Sequence, residues 1–222
     1  MLEKYRVIVF DCDGVLLDSN NFKTGLFEEV LKAKGFPDRE IEAFSRYQRT
    51  NFGISRYRLF QAVIDGQFGM RRAPSLNSLL EEFGRRCRER YAIQPETPDL
   101  RPALERAAAD SRALYVVSGS DEIELREVLQ KRQLDGYFAA VFGSPKSKSD
   151  NLWRVREHRV ANGGVSSEPM VFIGDALADL QAATEASIDF VFMAKYSNVR
   201  PKLTDEVTRL GWKLIEDLSE LS

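Results

Sequence analysis

Residues 7–10, Val-Ile-Val-Phe, run apolar without alternation and stop abruptly at Asp11-Cys12-Asp13-Gly14. An unbroken apolar run of this length is the pattern of a strand buried on both faces, as at the centre of a parallel sheet. In such sheets ligands bind outside the carboxyl ends of the strands, so two carboxylates at this strand's end are placed where chemistry is done. Gly14 supplies backbone freedom for the turn that follows.

The rest of the chain fits a parallel sheet interrupted once. Phe22, Leu26, Phe27, Val30 and Leu31 recur at helical spacing up to Gly35 and Pro37. Further helices are predicted over 38–49, 55–64 (with Ser55 as N-cap) and 75–91, before the loop Gln94-Pro95-Glu96-Thr97-Pro98. No strand pattern occurs in this block, which reads as an all-helical insert. From Asp99 onward helices and strands alternate: helix 99–110, strand 113–117, helix 121–132, strand 139–142, helix 149–160, strand 170–173, helix 176–186, strand 188–192. Residues 213–215 offer a weak last strand, and the segment to Leu218 suits either strand or helix. The alternation predicts an α/β fold: a Rossmann-like parallel sheet with helices on both faces, plus a small helical domain. The domain division expected is 1–19 with 98–222 as the core and 20–97 as the insert.

Composition narrows the function. Thirty-two basic residues against 34 acidic give a net charge of −2, which recruits neither nucleic acid nor anionic lipid. No apolar run reaches bilayer-spanning length and the start lacks a signal peptide's apolar stretch, so no membrane association is expected. Two cysteines, Cys12 and Cys87, form no disulfide framework and suit a reducing, cytoplasmic setting. Cys12 has no histidine near it in sequence to activate it, so a buried spacer is expected rather than a nucleophile.

Three of the predicted strands of the second half end in polar residues: Ser118-Gly119-Ser120 after Val117, Gly143-Ser144-Pro145-Lys146-Ser147-Lys148 after Phe142, and Gly174-Asp175 after Ile173, with Asp179 four residues on. A parallel sheet gathers these ends on one edge beside Asp11 and Asp13. Any one of them alone reads as a helix cap or solvated turn; their joint arrangement does not.

In these four ordered motifs the chain resembles the haloacid dehalogenase superfamily, dominated by magnesium-dependent phosphohydrolases. The insert resembles the mobile helical cap that follows the first motif in one of its subgroups, the β-phosphoglucomutase and phosphoglycolate phosphatase-like members. The resemblance implies Asp11 as nucleophile and Asp13 as acid and base. It implies Mg2+ held by Asp11, Asp175 and the carbonyl of Asp13, with Asp179 orienting the metal's waters or the lysine. It also implies Ser118, Gly119 and a lysine around the phosphate. Dehalogenases and phosphonoacetaldehyde hydrolases lack the second aspartate, so Asp13 points to a phosphatase or phosphomutase. One form of the lysine loop selects Lys148, the reading adopted; counting back from Asp150 selects Lys146.

The substrate expected is a small phosphorylated metabolite, a sugar or sugar acid phosphate. The segment Gln48–Tyr57 breaks two helices and groups hydrogen-bonding side chains, which makes it the expected substrate-facing element, with Arg56 and Arg49 as candidates to pair with an anion. The insert is rich in surface-type arginines (Arg71, Arg72, Arg85, Arg86, Arg88), which tempers that expectation. His158 stands alone, which excludes a histidine zinc cluster. The resembled mutases use a histidine in or beside the cap, and residues 18–97 contain none. A binding module that retains the fold without turnover is the remaining alternative.

Overall fold

The computed structural model describes residues 2–69 and 74–221; Arg71 and Arg72 of the insert lie outside the described residues. Strand β1 (Val7–Phe10) is followed by four helices, α1 (Asn20–Ala33), α2 (Asp38–Thr50), α3 (Arg56–Ile64) and α4 (Leu76–Arg90). Then come α5 (Leu100–Ala109), β2 (Ala113–Asp121), α6 (Glu122–Lys131), β3 (Ala140–Ser144), α7 (Lys148–Ala161), β4 (Met170–Gly174) and α8 (Leu177–Glu185). The chain closes with β5 (Asp189–Met193), α9 (Arg200–Leu210), β6 (Lys213–Ile215) and a 3₁₀ turn at Leu218–Leu221.

The strands form one parallel sheet in the order β3-β2-β1-β4-β5-β6. β1 is central because its side chains are buried on both faces. Ile8 and Phe10 join one apolar cluster, Val7 and Val9 the other, as the two-residue period of a strand requires. Strand order reverses at β1, between β2 and β4, which opens the crevice where α/β sheets take ligands. The weakly patterned 213–215 segment pairs with β5 as the sheet's edge. β2 runs past the expected end at Val117, through Ser118-Gly119-Ser120 to Asp121, with a register shift against β3 between Val117 and Asp121. Ser55 sits at the N-cap of α3, but its hydroxyl makes no capping bond, contrary to the expectation from sequence.

The insert has its own apolar centre. Phe27 packs against Phe44, Phe60 and Phe83 with ring centroids 5.8, 5.1 and 4.5 Å away, so each of its four helices contributes one ring. The two connections to the core lie side by side: Asp18 N donates to Pro95 O, Thr97 N to Leu16 O, and Thr97 Oγ1 to Val15 O at 2.6 Å. The Gln94–Pro98 loop is thus bonded to the first motif's turn rather than free.

A buried ion pair fastens the insert to the core. Arg56 at the start of α3 makes a bidentate bond to Glu124 of α6, with Nη1–Oε1 at 2.8 Å and Nη2–Oε2 at 2.5 Å. Its guanidinium also lies 4.5 Å from the centre of the Phe83 ring. Next to it, Tyr57 donates to Asp121 Oδ2 at 2.7 Å, while Asp121 Oδ1 caps α6 by accepting from the amides of Ile123 and Glu124. Removing one partner of a buried pair leaves the other charge without compensation, which costs about 3–5 kcal/mol. Glu124→Ala is therefore expected to lower stability by about that amount in urea unfolding. Replacing both residues together, Arg56→Met with Glu124→Leu, should recover most of it; a single variant within about 1 kcal/mol of wild type would show the pair to be solvated.

Candidate active site

Four elements of the core bring the sequence-selected residues together. Asp11 leaves the end of β1, Ser118 and Gly119 lie near the end of β2, Lys148 opens α7, and Asp175 follows β4. With Asp13 they line one cavity of about 580 Å³, part of it open to solvent, that lies between the sheet edge and the insert. Lys148 Nζ donates to Asp11 Oδ2 at 2.8 Å and, by a shorter contact, to Asp179 Oδ1. Lys148 is buried whereas Lys146 is exposed, so the structure brings Lys148 and not Lys146 to Asp11.

Local sequence explains the lysine's position. Ser147 and Asp150 form a reciprocal capping box that fixes the first turn of α7. A cation at a helix N-terminus faces the positive end of the helix dipole; here the two aspartates offset it. Their charges outweigh burial and hold the Lys148 ammonium above its ordinary pKa.

The carboxylates differ in what holds them. Burial, only partly offset by Lys148, pushes the Asp11 carboxyl up to about 7, with Asp179 and Asp13 adding repulsion. Asp175 is driven well above the carboxylate range by burial and by the charges of Asp11 and Asp179, despite an Asn20 Nδ2 bond to its Oδ2 at 2.6 Å. Asp13 goes the other way: burial alone would raise it, but Lys23 and bonds from Ser19 and Ser120 prevail and hold it below its ordinary value. Ser19 Oγ donates to Asp13 Oδ1 at 2.5 Å, Ser120 Oγ to Oδ2 at 2.7 Å, and Lys23 Nζ lies 3.9 Å from Oδ2.

Asp11, Asp175 and Asp179 each offer a carboxylate oxygen within 4.8 Å of the others. Asp179 is wholly buried, and its oxygens accept from Lys148 and from the Ala176 amide. Asp175 Oδ1 is buried with no hydrogen-bond partner among the described residues. A hard-oxygen donor set with an orphaned anionic oxygen fits a hard divalent cation such as Mg2+. Gly14 makes the close packing possible: at φ +81°, a Cβ there would lie 2.2 Å from Asp175 Oδ2 and 2.4 Å from Asn20 Nδ2.

The insert supplies the opposite wall. Gly53, at φ +90°, presses its loop onto the core, where a Cβ would lie 2.5 Å from the Ala176 methyl. Arg56 lines the cavity, but its guanidinium is engaged by Glu124. Arg49, expected to face substrate, is instead exposed in the last turn of α2 and does not line the cavity. His158 lies away from the site, its Nδ1 3.2 Å from the Tyr115 hydroxyl. Cys12 is fully buried under the Tyr91 hydroxyl, which donates to its sulfur; burial pushes its thiol up, so it is a spacer and not a nucleophile.

Sequence reasoning missed Ser19, Asn20, Lys23 and Ser120. The first three open α1 and were read only as the start of a helix. The available signal was a run of polar groups directly after the aspartate motif, on a face whose next members, Phe27 and Val30, are buried.

The model for haloacid dehalogenase-like hydrolases matches residues 5–187. A phosphoglycolate phosphatase of Aliivibrio fischeri is 23% identical over 214 residues, covering 90% of this chain and 89% of its own length. One from Aquifex aeolicus is 26% identical over 191 residues, covering 82% of this chain and 81% of the relative. Among solved structures, a predicted phosphatase from Clostridium acetobutylicum superposes with a TM-score of 0.76 at 16% identity, covering 98% of this chain and 96% of the other. A predicted phosphoglycolate phosphatase from Haemophilus somnus gives 0.75 at 18% identity, with 98% and 96% covered. With a family model spanning most of its length and the family's four motifs gathered at one sheet edge, this chain belongs to the haloacid dehalogenase-like hydrolases and is a phosphatase.

Proposed function

We propose that this phosphatase is Mg2+-dependent and releases phosphate from a small phosphorylated metabolite by way of a phosphoryl group carried on Asp11. The observation that carries the reading is the convergence of Asp11, Asp13, Ser118, Lys148 and Asp175 on one cavity. Phosphate monoester hydrolysis is among the slowest uncatalysed reactions, and splitting it into two displacements on a carboxylate nucleophile lowers each barrier.

Asp11 Oδ2 is held by Lys148, which also offers a positive charge to the phosphate oxygens. The Ser118 hydroxyl and the Gly119 backbone line the same wall. Asp11, Asp175 and the Asp13 carbonyl would hold Mg2+, with Asp179 supporting Lys148 from behind. The ion, when bound, neutralises the clustered carboxylates so that a phosphate dianion can approach, and withdraws charge during transfer.

Asp13 acts twice, giving a proton to the departing alkoxide and then taking one from the attacking water. Its surroundings favour the ionised form, which suits the second task. A phosphate dianion beside it raises its proton affinity, which suits the first. The domain division 1–19 with 98–222 and 20–97 makes α1–α4 a cap that excludes water during transfer. Reading the chain as a phosphatase instead of a mutase rests on the absence of a histidine from residues 18–97.

The test is phosphate release from a panel of monoesters. Asp11→Asn should lose at least about 10³-fold in kcat/KM, and chelation should abolish wild-type turnover until Mg2+ is restored. Equal rates in Asp11→Asn, isomerisation without phosphate release, or turnover indifferent to chelator would overturn the mechanism.

The raised carboxylates give a second test, on stability. A group whose folded pKa is raised favours the folded state fully below its unfolded pKa, and that contribution is lost as pH rises through the folded value. For Asp11 the window runs from 3.8 to about 7, and Asp175 shifts in the same direction. Chelated protein should therefore lose Tm as pH rises across this window. Mg2+ relieves the repulsion, so the Tm gain on adding it should be larger at pH 8 than at pH 5; an equal or smaller gain at pH 8 would place the ion elsewhere.

A further inference from the structure

The buried face of α2 runs through Ile41, Phe44, Ser45 and Gln48. That spacing calls for an apolar residue at position 48, where the chain instead has a glutamine only 4% exposed. Gln48 lines the same cavity as the aspartates, and its side-chain oxygen Oε1 is buried and accepts no bond from the described residues. A buried acceptor left without a donor is costly, which is why native interiors keep such groups paired. A polar side chain placed against the local pattern, on a ligand cavity, with its acceptor unmet, has its partner in the ligand.

The other groups on this wall define what the ligand carries. Thr24 and Asn51 add uncharged polar groups, while Phe27, Leu59 and Phe83 supply apolar surface. The cations among the described lining residues are all engaged. Arg56 is held by Glu124, Lys148 by Asp11 and Asp179. Lys23 donates to Ser120 Oγ at 3.0 Å, stacks 3.5 Å from the Tyr91 ring centre and faces Asp13. A second anion on the substrate would have to displace one of these partners in a site already rich in carboxylates. A hydroxyl needs no countercharge and donates directly to Oε1.

We propose that Gln48 is a specificity-determining residue that accepts a hydrogen bond from a hydroxyl on the organic part of the substrate. The substrate class is then a monophosphate of an uncharged polyol or sugar, not a phosphorylated carboxylic acid. This inference rests on the phosphatase reading above and narrows it. It separates this chain from its relatives named for phosphoglycolate, whose organic part is a carboxylate.

The experiment measures kcat/KM with Mg2+ for matched esters: glycerol 1-phosphate against n-propyl phosphate, ribose 5-phosphate against 2-deoxyribose 5-phosphate, and phosphoglycolate as the carboxylate. Wild type should favour at least one hydroxylated ester over its deoxy partner, and over phosphoglycolate, by about 10- to 100-fold. Gln48→Leu should collapse that ratio towards one. The ratio is taken within one preparation, so loss of folded protein cancels; Gln48→Met gives a second neutral variant of similar volume. An unchanged ratio in both variants, or phosphoglycolate as the preferred wild-type substrate, overturns the assignment while leaving the phosphatase reading intact. Absence of turnover on every ester overturns both.

Discussion

Crowding of negative charge at the ends of β1 and β4 is the constraint on which the site depends. Asp11, Asp175 and Asp179 approach one another in a buried space that holds one ammonium, that of Lys148. Burying like charges together raises their proton affinity, and both Asp11 and Asp175 respond in that direction. Such a cluster persists only if the surrounding fold is stable enough to carry it. The central strand order and the two apolar clusters on the faces of the sheet provide that stability. The cluster is thus a store of unfavourable electrostatics that a bound cation would relieve.

The same economy of charge explains how the insert is joined to the core. Arg56 is the arginine that best reaches the cavity, yet Glu124 engages its whole guanidinium fork, and Gly84 leaves the room for it: a Cβ on Gly84 would lie 2.8 Å from Glu124 Oε1. A buried bidentate pair fixes orientation more than it adds stability. Here it sets the first turn of α3 on the first turn of α6, and so sets the loop carrying Phe52, Gly53 and Ile54 over Ser118 and Gly119. Attachment and the cavity-lining loop are therefore parts of one geometric arrangement, with the cation used for attachment.

Sequence reading reached the core residues because their positions follow from strand ends. An apolar run buried on both faces announces where Asp11 must lie, and parallel topology then carries Ser118, Lys148 and Asp175 to the same edge. Boundaries were less legible where backbone pairing overrode composition, as in β2, which continues through Ser118-Gly119-Ser120 to Asp121. The insert's wall was the hardest part. Arg49 and Arg56 drew attention by charge, but exposure of the one and pairing of the other are long-range facts: Glu124 lies 68 residues from Arg56 and nothing local marks it. Lys23 was hidden for the reverse reason, since a lysine in a helix is by default solvated, and only the tertiary fold sets it over Tyr91 beside Asp13.

Gln48 illustrates how a specificity element differs from a catalytic one in this architecture. The groups proposed to be catalytic are held by bonds that the protein completes itself: Lys148 to Asp11 and Asp179, Ser19 and Ser120 to Asp13. These fix geometry before substrate arrives, as electrostatic preorganisation requires. A residue that reads substrate must instead keep one bonding capacity unmet in the free protein, because an internal partner would have to be broken on binding. The insert wall combines the two conditions: aromatic packing from all four helices and, among the described residues, a buried amide oxygen without a donor. Selectivity in such a wall comes less from attraction to the right ester than from the cost of leaving that oxygen unpaired with the wrong one.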